Sequence, residues 1–217
     1  MVPTKRAGLV AGLALLATAL GSTAPRAQAA LAAPTTLAAL PAPATLAAPV
    51  GAARPIAGWV AFCERYRAEC AIDPNEPARI ALTPAAWTAI TTVNRRINAQ
   101  IRPVTDLDHW GTPDRWDLAE DGSGDCEDFQ LLKRKLLAEA GLPRRAMRMT
   151  VVIDEKGEGH AVLTLITDRG DLILDNKTST VLPWRQTGYT FIKRESQDAV
   201  AWVSLGRAAS PVTTANR

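Results

Sequence analysis

One cysteine, Cys126, stands between acidic residues in the run Gly-Ser-Gly-Asp-Cys-Glu-Asp-Phe, residues 122–129, just before a strongly helical stretch. His160 and Asp175 follow downstream, each in a strand-like segment. Cysteine at a helix start, then His and Asp on strands, is the layout of a thiol nucleophile with its base and the group that orients the base. The thiolate is the reactive form, and the partial positive charge at a helix N-terminus favours it. An imidazolium at His160 would favour it further, and Asp175 would hold that imidazole in the useful tautomer. The backbone N–H of Cys126 could help bind an oxyanion. Taken singly, each residue has a plainer role. Cys126 alone is a buried structural cysteine, His160 beside Gly159 a turn residue, and Asp175-Asn176 a strand-end turn pair. Their order along the chain is what points to catalysis. The second histidine, His109, lies in an irregular stretch and is the weaker candidate base.

Asp125, Glu127 and Asp128 crowd the thiol, and like charges raise a thiol's pKa. Two readings of these acids stay open on the residues alone. They complement the dipole of the helix they begin, or they hold a hard cation, and packed carboxylates suit Ca²⁺. Their spacing does not match an EF-hand loop, and no Cys/His set suits a structural zinc.

The elements that must position these groups can be read from periodicity. Residues 125–140 are predicted helical, with Asp125 as N-cap and Gly141 and Pro143 ending the helix. Phe129, Leu132, Leu136 and Ala140 form its buried stripe, while Lys133, Arg134, Lys135 and Glu139 are expected to face solvent. Residues 147–153, 161–166 and 172–174 read as strands, with further strand-like runs at 189–193 and 201–205. The register between the second and third of these strands is left open. A turn centred on Thr167-Asp168 would set His160 opposite Asp175. One centred on Arg169-Gly170 would set Asp175 opposite Thr164, about 13 Å along the strand from His160 at roughly 3.3 Å per residue.

Ahead of the cysteine lie two helical patterns. Trp59, Phe62, Cys63 and Tyr66 share one face, and Cys63 and Cys70 could pair in an oxidising compartment. Residues 85–101 follow Thr83-Pro84, a cap and first-turn pair, and carry an apolar stripe. Asn94 and Asn98 beside that stripe read first as capping or solvated residues, with a role in shaping a cleft as the lesser reading. Residues 104–124 form a long irregular loop, and its tryptophans predict packing rather than disorder. Helices first and antiparallel strands later give an α+β fold, with N-terminal helices packed on an antiparallel sheet.

The chain of 217 residues suits one domain preceded by other material. Residues 1–29 read as a secretory signal: Lys5 and Arg6, a short apolar run, then Ala27-Gln28-Ala29. Residues 30–54 are rich in Ala and Pro and are expected to be a flexible linker. The folded domain is expected over 55–206, with a disordered tail at 207–217. The formal charge is +3, from 25 basic and 22 acidic side chains. The signal holds three of the basic residues and no acids, so the remainder is balanced and offers no basic surface for nucleic acid.

These residues resemble the bacterial transglutaminase-like cysteine proteinases. The similar text is Phe62-Cys63 with Cys70, Asn94 and Asn98 ahead of Ile101-Arg102-Pro103, and Trp116 before the run at 122–129 with Lys133. It continues with His160-Ala-Val-Leu163 and Gly170-Asp-Leu-Ile-Leu-Asp-Asn176, so it covers nearly the whole folded domain. One departure is Ala119, where the family pattern has proline. The resemblance implies a papain-like, transglutaminase-type core with Cys126, His160 and Asp175 as a triad. It implies Ca²⁺ at Asp125 and Glu127, with Asp128 beside them, and a periplasmic monomer. The implied substrate is a protein, the N-terminal region of a large surface adhesin whose cleavage releases biofilm. The implied partner is an inner-membrane receptor for cyclic-di-GMP. An amine acyltransferase and an inactive binding module of the same fold are the alternatives.

Overall fold

Apolar side chains displayed on one stripe of each helix and alternately along each strand demand a layered packing, helix face to sheet face. The computed structural model describes residues 39–206 and has this form. The chain runs β1 (Gly51–Ala53), α1 (Ala57–Arg65), α2 (Arg67–Cys70), α3 (Pro84–Gln100), β2 (Arg102–Pro103), α4 (Asp106–Trp110), β3 (Ser123–Gly124) and α5 (Cys126–Glu139). It continues through β4 (Met147–Ile153), β5 (Gly159–Thr167), β6 (Gly170–Leu174), β7 (Leu182–Pro183), β8 (Thr190–Glu195) and β9 (Trp202–Ser204). Seven strands form one sheet in the order β1-β9-β8-β4-β5-β6-β7, and β2 and β3 make a separate short parallel pair. All neighbours in the large sheet are antiparallel. The α+β expectation holds.

Strand alternation divides the core. Val151, Leu163 and Leu172 join Phe62, Ile90, Ile97, Phe129 and Leu137 between helices and sheet. Val152, Val162, Ile173 and Phe191 gather in a second cluster on the opposite strand face. Helix α3 begins as expected, with Thr83 Oγ1 accepting the Ala86 N–H at 3.1 Å. Cys63 and Cys70 are joined by a disulfide.

Two expectations need correcting. Lys133 and Arg134 are fully buried rather than solvent-facing. Helix α5 packs against α3 as well as β5, so a single apolar stripe does not describe it. Arg134 is instead paired with the buried Glu195 at 2.7 Å. The described part of the Ala/Pro-rich stretch is not a free linker. Ala44 donates to Arg169 O at 2.7 Å, Ala47 N donates to Asp171 Oδ2 at 2.9 Å, and β1 pairs with β9. Proline-rich extended chain loses little entropy on docking, and backbone groups supply the bonds. Gly170 is required where this strap crosses: its φ is +103°, and a Cβ would lie 2.5 Å from Ala44 O.

The signal-like residues 1–29, the first part of the expected linker, and the tail 207–217 lie outside the described residues. Among the described residues no helix is long and apolar enough to cross a membrane.

Candidate active site

Cys126 is the first residue of α5 and is fully buried, as is His160 on β5. The thiol reaches β5 beside that histidine: Sγ accepts the N–H of Ala161 at 3.4 Å. It also donates to Glu127 Oε2 at 3.1 Å.

The β5–β6 register falls between the two arrangements weighed from the sequence. Thr167 pairs with Gly170 and Leu163 with Leu174, so the hairpin turns on Asp168-Arg169. Continuing that register sets Asp175 opposite Val162, diagonal to His160 on the same strand face. Diagonal neighbours lie about 7–8 Å apart at the backbone, within side-chain reach. His160 Nε2 and Asp175 Oδ1 are hydrogen-bonded at 2.9 Å, with Asp175 only 3% exposed. With Nε2 engaged, Nδ1 is the imidazole nitrogen left for other chemistry, and it is buried without a hydrogen-bond partner among the described residues.

The turn after β6 is held from several directions. Asn98 Nδ2 donates to the carbonyls of Asp175 at 2.8 Å and Thr178 at 3.0 Å. Asn94 Nδ2 donates to Ser179 O at 3.1 Å, and Lys133 Nζ to Asp175 O at 3.0 Å. The two asparagines are therefore clamps on the aspartate's turn, not helix caps or solvated residues. Burial pulls the Lys133 ammonium down to about 7, against the nearby Asp175 charge. The Asp175 carboxylate accepts Lys177 N–H at 3.0 Å on Oδ1 and the Tyr189 hydroxyl at 2.7 Å on Oδ2. Burial pushes its pKa up, but His160 and these donors more than offset that and hold it below the usual value.

The acids sort into two overlapping groups. Asp106, Asp125 and Asp128 place carboxylate oxygens within 4.8 Å of one another, and Asp125, Cys126 and Glu127 do the same with the thiol included. All four acids are buried, Asp106 among them although it comes from α4, nineteen residues before Asp125. Gly124 makes room for the fold of this loop: a Cβ there would meet Asp128 Oδ2 at 2.6 Å. Asp128 Oδ1 accepts Asp117 N–H at 2.6 Å, and Asp125 Oδ2 accepts Asp106 N–H at 3.3 Å. Asp106 Oδ1 and Asp125 Oδ1 are buried and accept no hydrogen bond from the described residues. Burial and the neighbouring Asp125 charge push Asp106 up to about 7. Burial likewise raises Asp125, and raises Glu127 and Asp128 well above the ordinary carboxylate range.

The same surroundings push the Cys126 thiol up, first by burial and then by the charges of Glu127 and Asp125. Magnitudes show which effect dominates. A helix N-terminus contributes up to about 2 kcal/mol toward the thiolate. A carboxylate at 3.1 Å, once ionised, opposes it by about 5 kcal/mol at an effective dielectric near 20. Ionised acids without a cation therefore outweigh the helix dipole, and burial raises the thiol even before they ionise.

His109 is not part of this site: its Nε2 pairs with Asp121 Oδ2 at 2.8 Å. Ala119 has φ +48°, a value proline cannot adopt. Sequence reasoning missed Asp106 as a neighbour of Asp125, because only tertiary structure joins α4 to α5. It also missed Tyr189, which no local pattern marks.

The family model for bacterial transglutaminase-like cysteine proteinases matches residues 50–210. Among solved structures, calcium-bound LapG of Legionella pneumophila is 25% identical, with 58% of this chain and 74% of that one covered at a TM-score of 0.48. A second LapG structure from the same organism is 27% identical over 50% of this chain and 64% of that one, at a TM-score of 0.45. Its EGTA-treated form is also 27% identical, over 50% and 62%, at 0.45. No curated protein matches the chain. With the family pattern spanning the sheet, the helices and the buried thiol, the chain belongs to the bacterial transglutaminase-like cysteine proteinases.

Proposed function

We propose that the protein is an exported thiol endopeptidase whose triad is Cys126, His160 and Asp175. The observation that carries this reading is the 2.9 Å His160–Asp175 bond beside a thiol that accepts the Ala161 N–H at 3.4 Å. In the reaction, His160 Nδ1 takes the Cys126 proton and Sγ attacks the scissile carbonyl carbon. The tetrahedral intermediate collapses, the C–N bond breaks, and the imidazolium returns its proton to the leaving amine. Water, deprotonated by His160, then attacks the thioester, releases the acid product and restores the thiol. Asp175 keeps the imidazole oriented through Nε2 throughout.

Calcium is the proposed cofactor, held by Asp106, Asp125 and Asp128, with Glu127 adjoining. The donor set fits a hard cation: all oxygen, clustered, buried, with two oxygens accepting no hydrogen bond. When bound, the ion supplies compensating positive charge beside the thiol. The chain's own acids then no longer oppose ionisation of Cys126.

The proposed substrate is the N-terminal region of a large surface adhesin, and the proposed sequestering partner is an inner-membrane receptor for cyclic-di-GMP. Both are what the resemblance of the sequence motifs implies. A periplasmic location is supported by the signal-like pattern of residues 1–29. The test is incubation of purified protein with adhesin N-terminal segments, calcium and a labelled amine, wild type against Cys126→Ala. Cut products made only by the wild type are expected. Amine incorporation without cutting would mark an acyltransferase, and neither product would point to a binding module.

A further inference from the structure

We infer that Tyr189 is a positioning residue of this site, acting on His160 through Asp175; the inference rests on the triad reading. Tyr189 immediately precedes β8, whereas Asp175 follows β6, and β4 and β5 lie between those strands. The side chain bridges that span at the end of the sheet. Its hydroxyl donates to Asp175 Oδ2 at 2.7 Å, and its ring meets the imidazole of His160 edge to face, with centroids 5.7 Å apart and planes at 81°.

The two contacts do different things. Oδ1 accepts from His160 and from the Lys177 N–H, and the Tyr189 hydroxyl adds the one side-chain donor on Oδ2, a further restraint on the plane of the group from the opposite side. The ring also covers the pair. Tyr189 is half-buried while His160 is fully buried and Asp175 nearly so, which makes the tyrosine the outer layer over the His160–Asp175 bond. Tyr189 and Asp175 both line a small pocket with Thr178, Thr180, Leu182 and Thr187, and loss of the ring would widen the access of water to Asp175. Excluding water strengthens the bond beneath.

Removal of the hydroxyl has a signed consequence. Tyr189 shares the negative charge of Asp175. Without that donor the carboxylate draws the His160 proton more strongly, and the imidazolium persists to higher pH. An imidazolium held more tightly, on a carboxylate freer to turn, gives up its proton to the leaving amine more slowly.

The experiment uses Tyr189→Phe, which keeps the ring and its packing. Expected are a roughly tenfold fall in kcat per titrated active site, KM within about twofold, and a basic limb of the kcat/KM profile about half a unit higher. The titration of His160, followed by ¹⁵N NMR in the Cys126→Ala background with and without Tyr189→Phe, should move up by the same amount. That readout needs no catalysis, so it judges the role of Tyr189 even if Cys126→Ala retains activity and the triad reading fails. Tyr189→Leu, which also uncovers the pair, should lower kcat further. A Tyr189→Phe protein whose His160 titration is unchanged or moves down would overturn the inference.

Discussion

Removing calcium should destabilise the protein strongly above neutral pH and hardly at all in mild acid. Asp106, Asp125 and Asp128 hold oxygens within 4.8 Å of one another. Each ionised pair at that separation repels by about 3.5 kcal/mol at an effective dielectric near 20. Three such pairs approach about 10 kcal/mol, comparable with the whole stability of an ordinary domain. The metal-free fold therefore retains protons on these acids. Asp106 is held at about 7, against about 3.9 in an unfolded chain. A carboxyl with a raised folded pKa binds more protons folded than unfolded between those values. Its contribution is present below the unfolded pKa and is lost as pH rises through the folded one. For Asp106 alone the loss is about 4 kcal/mol between pH 4 and 7, and Asp125 and Asp128 shift in the same direction. Calcium in place of protons removes that loss. Melting by calorimetry at pH 5 and pH 8, in calcium and in chelator, should show a gap that widens with pH to about 10 °C. Calcium titrations in buffers of different ionisation enthalpy should register proton release. Asp106→Asn should melt higher than wild type in chelator at pH 8 and gain less from calcium. A calcium effect equal at both pH values, or none, would refute the reasoning.

Other outcomes follow from the contacts of the site. Asp175→Ala should lower kcat by about a hundredfold or more, whereas Asp175→Asn, whose amide oxygen can still accept from Nε2, should lose far less; peptide-cleavage kinetics decide. Asn98→Ala leaves the Asp175 and Thr178 carbonyls short of a donor and should cost about 1–3 kcal/mol in urea unfolding, with a parallel fall in kcat. Arg134→Ala removes the ion-pair partner of the buried Glu195, leaving it the Trp59 and Met149 N–H groups and the charge of Arg148, and should cost about 3 kcal/mol by the same measure; a cost under about 1 kcal/mol would mean those remaining partners hold the carboxylate without Arg134.

Local signals were legible and long-range ones were not. Strand β4 and the start of α3 lie where β-branched alternation and the Thr83-Pro84 pair put them. Cys126, His160 and Asp175 were legible as candidates because each sits at an element boundary with its own local pattern. The burial of Lys133 and Arg134 could not be read from helical periodicity, because α5 is covered on a second side by α3. The hairpin register depended on which two residues of Thr167-Asp168-Arg169-Gly170 form the turn, a choice that strand periodicity alone leaves open. Asp106 and Tyr189 join the site only through tertiary packing, so no spacing rule could have found them.

The most direct test of the central claim is the pH dependence of Cys126 alkylation by iodoacetamide in calcium, wild type against His160→Ala. Cys126 is buried, so access slows the reaction, but a factor common to every pH does not move the midpoint of the profile. A thiol ionised by His160 beside a compensated acid cluster predicts a midpoint well below the ordinary thiol value of about 8.5. That midpoint should rise in chelator and in His160→Ala. A wild-type midpoint at or above 8.5 in calcium, unchanged by His160→Ala, would contradict the thiol-protease reading.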